Sequence, residues 1–111
     1  MLLMLYKETE IFPSKEIFGL TNQIRRAAVS VTSNIAEGFS RNSNKEKCQF
    51  YCMAQGSVTE LQNQLLIARD VGYLAKDKFM EMAKQTVIVN KLISGLKRIK
   101  NTKYKIQDTR Y

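Results

Sequence analysis

The sequence predicts an all-α fold, an antiparallel up-and-down four-helix bundle whose first helix is short or truncated. Three observations predict it. Apolar residues recur at spacings of three and four along most of the chain, as one buried face of a helix requires. A single proline, Pro13, interrupts 111 residues that are 44% hydrophobic and 25% charged, so helix breakers are scarce and the chain is neither disordered nor collagen-like. Breaks near Pro13, Gly38 and Gly72 leave connections of roughly two to four residues, which suit antiparallel neighbours. A chain of this length holds one hydrophobic core. The expected division is a bundle over residues 1–99 and a basic flexible tail over 100–111.

The run MLLMLYKETE contains helix formers throughout and then meets Phe12-Pro13, which a helix does not easily pass, so a short first helix ends near Glu10. It starts without a capping residue and with an apolar first turn, and an earlier stretch of the same helix is expected to precede it. Ser14 is a candidate cap for the second helix, which is expected from about Ser14 to about Phe39 with Gly19 as a weak point. Its core stripe is Leu20, Ile24, Ala27, Ala28, Val31 and Ile35. Gly38 is placed at its end, because glycine tolerates the left-handed conformation of a helix C-terminus.

Ser43-Asn44-Lys45-Glu46 has the S-x-x-E form of a capping box, so the third helix starts there. Phe50, Met53, Ala54, Ser57, Val58, Leu61, Leu65, Ala68 and Val71 continue an apolar stripe to Gly72-Tyr73. Gly56 interrupts it at a cost of about 1 kcal/mol relative to alanine. Close approach of another helix at that point is the expected reason. In the fourth helix Asp77 sits favourably in the first turn, and Phe79, Met82, Ala83, Thr86, Val89, Ile93 and Leu96 mark one face. Val87, Ile88, Lys91, Leu92, Gly95 and Ile99 form a second series. One core cannot absorb both, which predicts a subunit interface and a homo-oligomer.

Polar residues at or near apolar positions are the candidates for chemistry. Arg26, Ser30, Asn34 and Glu37 line one stripe of the second helix, and Ser57, Glu60 and Gln64 one stripe of the third. Buried charges must be paired, so Arg26, Asn34, Glu37 and Glu60 are read as a structural polar network, with Arg26 meeting Glu60 or Glu37. A catalytic or metal site on Asn34 and Glu37 is the weaker reading. The chain has no histidine, no serine nucleophile beside a base and no glycine-rich phosphate loop. No catalytic residue, metal ligand or cofactor site is assigned. Cys48 and Cys52 lie four apart on one helix, where a mutual disulfide is awkward, and are read as reduced thiols.

The net charge is +8, and Lys97, Arg98, Lys100, Lys103, Lys105 and Arg110 against Asp108 place +5 of it in the last 15 residues. An excess of that size attracts polyanions such as RNA, DNA or anionic lipid. Arg25, Arg26, Arg41, Lys45, Lys47, Lys97, Arg98, Lys100 and Lys103 are the candidate phosphate contacts. Tyr104 and Tyr111, interleaved with tail cations, are candidates for stacking on bases. The longest wholly apolar run, Met1 to Leu5, is far short of the roughly 20 residues that span a bilayer, and no secretory signal is recognised. A cytoplasmic protein with no membrane partner is expected.

Phe12-Pro13, Glu16, Phe18-Gly19-Leu20-Thr21, Gln23, Arg25-Arg26-Ala27-Ala28, Ser30-Val31, Asn34-Ile35-Ala36-Glu37-Gly38 and Arg41, followed by Gly56-Ser57, Glu60-Leu61 and Gly72-Tyr73, together carry a resemblance. In this order they resemble the four-helix-bundle family encoded by intervening sequences of bacterial 23S ribosomal RNA genes, over nearly the whole chain. The same family includes the accessory variability protein of diversity-generating retroelements, a basic homopentamer that binds nucleic acid and the reverse transcriptase. The resemblance therefore implies the bundle fold, pentameric assembly and RNA binding, with a reverse transcriptase as a further candidate partner. Family members carry a longer first helix, which the sequence here lacks. A structural or protein-interaction module with an incidental basic tail is the alternative function.

Overall fold

The computed structural model describes residues 1–16 and 19–110, with side chains described through Arg98. Four helices, α1 (Leu2–Thr9), α2 (Leu20–Ser40), α3 (Asn44–Asp70) and α4 (Lys76–Arg110), form the antiparallel up-and-down bundle, and the described residues contain no strand. The first helix is short. α2 packs against α3, and α3 against α4. α1 closes the bundle along α2 and α4, with Gln85 of α4 donating to Met4 and Lys78 facing Glu8 at 3.9 Å.

The core has two regions. Leu5, Phe12, Ile24, Ala27, Ala28, Leu61, Leu65, Ala68, Leu74, Phe79 and Met82 fill the end near Pro13. Val31, Tyr51, Ala54, Val58 and Ile93 fill the other. The apolar stripes of the sequence supply most of these residues. Phe50, Met53 and Val71 depart from the expectation for α3, since Met53 and Val71 are exposed, Phe50 is half-buried and Tyr51 is buried in their place. The α3 stripe is rotated so that the ring with a polar tip points inward. Burial pushes the Tyr51 phenol above its ordinary range, and the charge of the neighbouring Cys48 adds to the effect.

The second helix starts later than the sequence suggested. Ser14–Glu16 is a separate 3₁₀ turn, and Gly19 caps α2 with no side-chain bond of its own. Glu16 supplies the missing acceptor, since its Oε1 takes the Leu20 N–H at 3.3 Å while Oε2 accepts from the Tyr73 hydroxyl at 2.8 Å. A carboxylate at a helix N-terminus also meets the positive end of the helix dipole. One side chain therefore ties the start of α2 to the turn after α3. The hydrogen bond to Glu16 holds the Tyr73 phenol above its ordinary value, with desolvation adding to it. A raised folded-state pKa means that this contribution to stability is complete below pH ~10 and lost as pH rises through the folded value. In a tyrosine ¹³Cζ titration the Tyr73 resonance is expected to shift later than free tyrosine and to return toward it in Glu16→Gln; an unchanged midpoint in that variant refutes the bond.

The ends of α3 follow local chemistry. Ser43 Oγ accepts the Glu46 N–H at 3.1 Å, the first half of the expected capping box. At the other end Gly72, with φ +85, lets the Tyr73 N–H reach Ala68 O at 2.9 Å and its own N–H reach Arg69 O at 3.1 Å, a Schellman closure. Gly38 has a different role from the one expected. It lies inside α2, is buried, and its missing Cβ is the space occupied by the Tyr51 ring, because a Cβ there would fall 2.4 Å from Tyr51 Cε1. Gly56, where close approach was expected, has nothing within 4 Å of the corresponding position.

The α4 backbone is helical to Arg110. The tail expected over residues 100–111, with Lys100, Lys103, Lys105, Tyr104 and Tyr111, falls on side chains outside the described residues. The wide apolar arc of α4 is as the pattern requires. Met82, Thr86 and Ile93 are buried, while Val87, Ile88 and Leu92 are exposed, Leu92 to 64%. An apolar groove of about 420 Å³ runs beside them, lined by Met1, Leu2, Leu3, Leu92 and Leu96 among others. No helix among the described residues is long and apolar enough to cross a membrane.

Candidate nucleic-acid interface

The polar stripes of α2 and α3 face each other, but the partners differ from those expected. Ser30 Oγ and Ser57 Oγ share a hydrogen bond of 2.8 Å across the two helices. Asn34 Nδ2 donates to Ser30 O at 2.9 Å and to Ser30 Oγ at 3.1 Å. The network that joins the helices is Asn34–Ser30–Ser57. Two short hydroxyl side chains span the gap between the helices here, and each satisfies the other.

Glu37 turns outward and pairs with Arg41 at 2.7 Å, one helical turn later. Both are exposed, so the pair contributes only about 0.3–0.5 kcal/mol. Arg26 and Glu60 do not meet. They line the same open cleft between α2 and α3 with Gln23, Ala27 and Ser30, and neither makes an ion pair with any described residue. The structural network therefore keeps Asn34, loses Arg26 and Glu60 to the surface, and gains the serine pair that the stripes already contained.

The candidate phosphate contacts divide by what already holds them. Arg25 Nε donates to Thr9 Oγ1 at 2.9 Å, its Nη2 to Tyr6 O at 3.4 Å, and its guanidinium lies 4.6 Å from the Tyr6 ring centre. It fastens α1 to α2. Arg41 is shared between Glu37 and the face of Phe50, 4.8 Å away. Lys47 donates to Gly38 O at 3.1 Å and Phe39 O at 2.8 Å, a cation at the negative end of α2. Lys97 donates to Gln55 Oε1 at 3.1 Å, and Gln55 in turn donates to Ser94. Arg26, Lys45 and Arg98 are exposed and enter no hydrogen bond or ion pair among the described residues. Of the candidate phosphate contacts with described side chains, these three are the ones left without such a partner. Lys100 and Lys103 lie outside the described side chains.

The commitments of Arg25 and Lys47 were not legible from spacing. Arg25 needs α1 folded back on α2, and Lys47 needs the chain reversal after Ser40. Only an adjacent cation and a helix end in the sequence hint at the second.

A family model described as 23S rRNA-intervening sequence protein matches residues 1–95. The structure is similar to the crystal structure of a protein of unknown function from the S23 ribosomal protein family of Bacteroides thetaiotaomicron, with a TM-score of 0.76 at 20% identity. The superposition covers 86% of this chain and 87% of that one, and what it shows is the shared fold. Among curated proteins, none matches the chain.

Proposed function

The chain belongs to the 23S rRNA-intervening sequence protein family, and from that premise we propose that it is a non-enzymatic, basic, homo-oligomeric bundle of the cytoplasm that associates with RNA. One observation carries the nucleic-acid part. On a chain of net charge +8, Arg26, Lys45 and Arg98 are exposed with no hydrogen-bond or ion-pair partner among the described residues, and the basic excess continues in the sequence beyond Arg98. Cations already paired with carboxylates or carbonyls cannot release phosphate counterions to the same extent. The apolar side chains exposed on α3 and α4 support assembly, and the resemblance to a pentameric accessory protein gives five as the expected subunit number.

The test is a salt titration of binding to a structured RNA, with the mass of the free protein read by sedimentation equilibrium at micromolar concentration. The affinity is expected to fall by about 10³-fold or more between 50 and 200 mM salt if six or more phosphates are contacted in the assembled form. Lys45→Ala combined with Arg98→Ala is expected to flatten the slope. Absence of binding at low salt refutes the RNA reading and favours a structural or protein-interaction module, for which a reverse transcriptase is the candidate partner. A monomer at all concentrations refutes the oligomer.

A further inference from the structure

We propose that the open cleft between α2 and α3 takes the base of an unpaired guanine, with Arg26 donating to its O6 and N7 and Glu60 accepting from its N1–H and N2–H. The inference rests on the RNA reading above, deepens it to the nucleotide selected, and gives Arg26 a base edge in place of a phosphate.

The cleft measures about 460 Å³ and is lined by Gln23, Arg26, Ala27, Ser30 and Glu60. Ala27 and Ser30 are short, so space stays open between the longer side chains. Arg26 on α2 and Glu60 on α3 are both exposed, and neither forms an ion pair with the other or with any other described residue. Two opposite charges that share a concavity without closing on each other present a fork of donors and a pair of acceptor oxygens. Phosphate suits the first and is repelled by the second. A ligand that meets both carries adjacent acceptors on one edge and adjacent donors on the next.

Guanine has that pattern. Its N7 and O6 accept two N–H groups of one arginine, the commonest specific contact to a base. Its N1–H and N2–H match the two oxygens of a carboxylate. Adenine has a donor in place of O6 and an acceptor in place of N1–H, so it loses a bond to each group. Uracil has no N7 and a single N–H on its pairing edge. Cytosine offers O2 and N3 to an arginine, but its amino group gives the carboxylate only one bond on that edge. Base pairing occupies the N1–H and N2–H of guanine, so the base taken is unpaired, the state in which RNA is mostly read by sequence.

The surroundings favour a strand over a free nucleotide. A second cleft of about 450 Å³ shares Arg26 and Ser30 with the first and adds Tyr6, Asn22 and Arg25 among others. Asn22 and Gln23 are exposed, and their side-chain amides enter no hydrogen bond among the described residues. One cleft thus leads into the next along α2, with amides available for the ribose and phosphate oxygens of an adjoining nucleotide. The net charge of +8 attracts the polyanion. Glu60 opposes that attraction unless a base meets it.

Fluorescence anisotropy tests the site with oligouridine RNAs that carry guanine, adenine, cytosine or uracil at one central position, at fixed salt. The guanine RNA is expected to bind about tenfold more tightly than the other three. Replacing that guanine by 7-deazaguanine, which lacks the N7 acceptor, or by hypoxanthine, which lacks the N2 amino group, is expected to weaken binding to the natural protein. Arg26→Ala is expected to abolish the first penalty and Glu60→Ala the second, because the partner is already gone; circular dichroism verifies the fold of both variants. Glu60→Ala also carries a diagnostic sign. It is expected to weaken the guanine RNA although it removes a negative charge, and tighter binding to every RNA in that variant overturns the site. Equal affinity for the four RNAs together with a steep salt dependence overturns the guanine assignment and leaves the RNA reading intact, whereas no binding to any of them at low salt overturns both. Displacement of the RNA by micromolar guanosine monophosphate, but not adenosine monophosphate, overturns the strand as the source of the base.

Discussion

Gly38→Val is expected to destabilise the fold by about 3 kcal/mol, at the upper end of what overpacking a close-packed interior costs. The first added carbon would lie 2.4 Å from Tyr51 Cε1 and 2.9 Å from Cδ1, and the ring cannot retreat, because Tyr51 is 2% exposed and meets Phe39 edge-on at 6.1 Å. Glycine is the poorest of the ordinary residues in a helix interior, so Gly38→Ala recovers up to about 1 kcal/mol from backbone entropy. Its net loss is therefore smaller than that of valine, which also carries branching at Cβ. Urea unfolding checks both, and the cause is isolated by Tyr51→Ala. Removing the ring alone costs several kcal/mol, but in its absence Gly38→Val is expected to lose at least about 1 kcal/mol of its effect. Strict additivity of the two changes refutes the contact as the source.

Leu61→Ala is expected to cost about 2–5 kcal/mol, the range for deleting a buried leucine side chain and leaving part of its volume empty. Leu61 is fully buried and belongs to the region where α2, α3 and α4 converge on Ile24, Leu65 and Met82. Folded domains are stable by only about 5–15 kcal/mol, so this single truncation removes a large share. The denaturation midpoint should fall with an unchanged slope. Ile67→Ala, six residues later on the exposed side of the same helix, is expected to stay within about 0.5 kcal/mol for the isolated chain. Equal losses at the two positions refute the assignment of inner and outer faces.

Much of this arrangement is written in local pattern. The three-and-four spacing of Ile24, Ala27, Ala28 and Val31 places α2 correctly, and Ser43 with Glu46 marks the start of α3, because both signals depend only on neighbours within one or two turns. The excess apolar arc of α4 is likewise visible without knowing what it touches. The misreadings concern contacts made across the bundle. Gly38 resembles a terminating glycine until Tyr51 is folded onto it, and Gly56 resembles a crossing point although the crossing lies elsewhere. Phe50 and Tyr51 are adjacent aromatics, and a rotation of about 100° about the helix axis decides which one is core.

The candidate site was legible as composition and less so as geometry. The polar stripes on α2 and α3 do face each other, yet which polar group meets which depends on reach. Ser30 and Ser57 join across the two helices, and Arg26 and Glu60 line the open cleft beside them. Nothing in the spacing distinguishes Arg25, held by Thr9 and Tyr6, from Arg26 beside it. Adjacent arginines on a helix point about 100° apart, and only one of those directions is covered by α1.

The clasp between Lys47 and the last carbonyls of α2 joins groups only nine and eight positions apart in the chain, and Tyr51 reaches Gly38 over a comparably short loop. Loop closure of that length sacrifices little chain entropy. The α2–α3 hairpin is thus the pairing that connectivity opposes least, whereas the bond from Gln85 to Met4 must bring together groups 81 positions apart. On loop-closure entropy alone, the elements carrying the seam of serines and the Arg26–Glu60 cleft are those that the topology favours forming first.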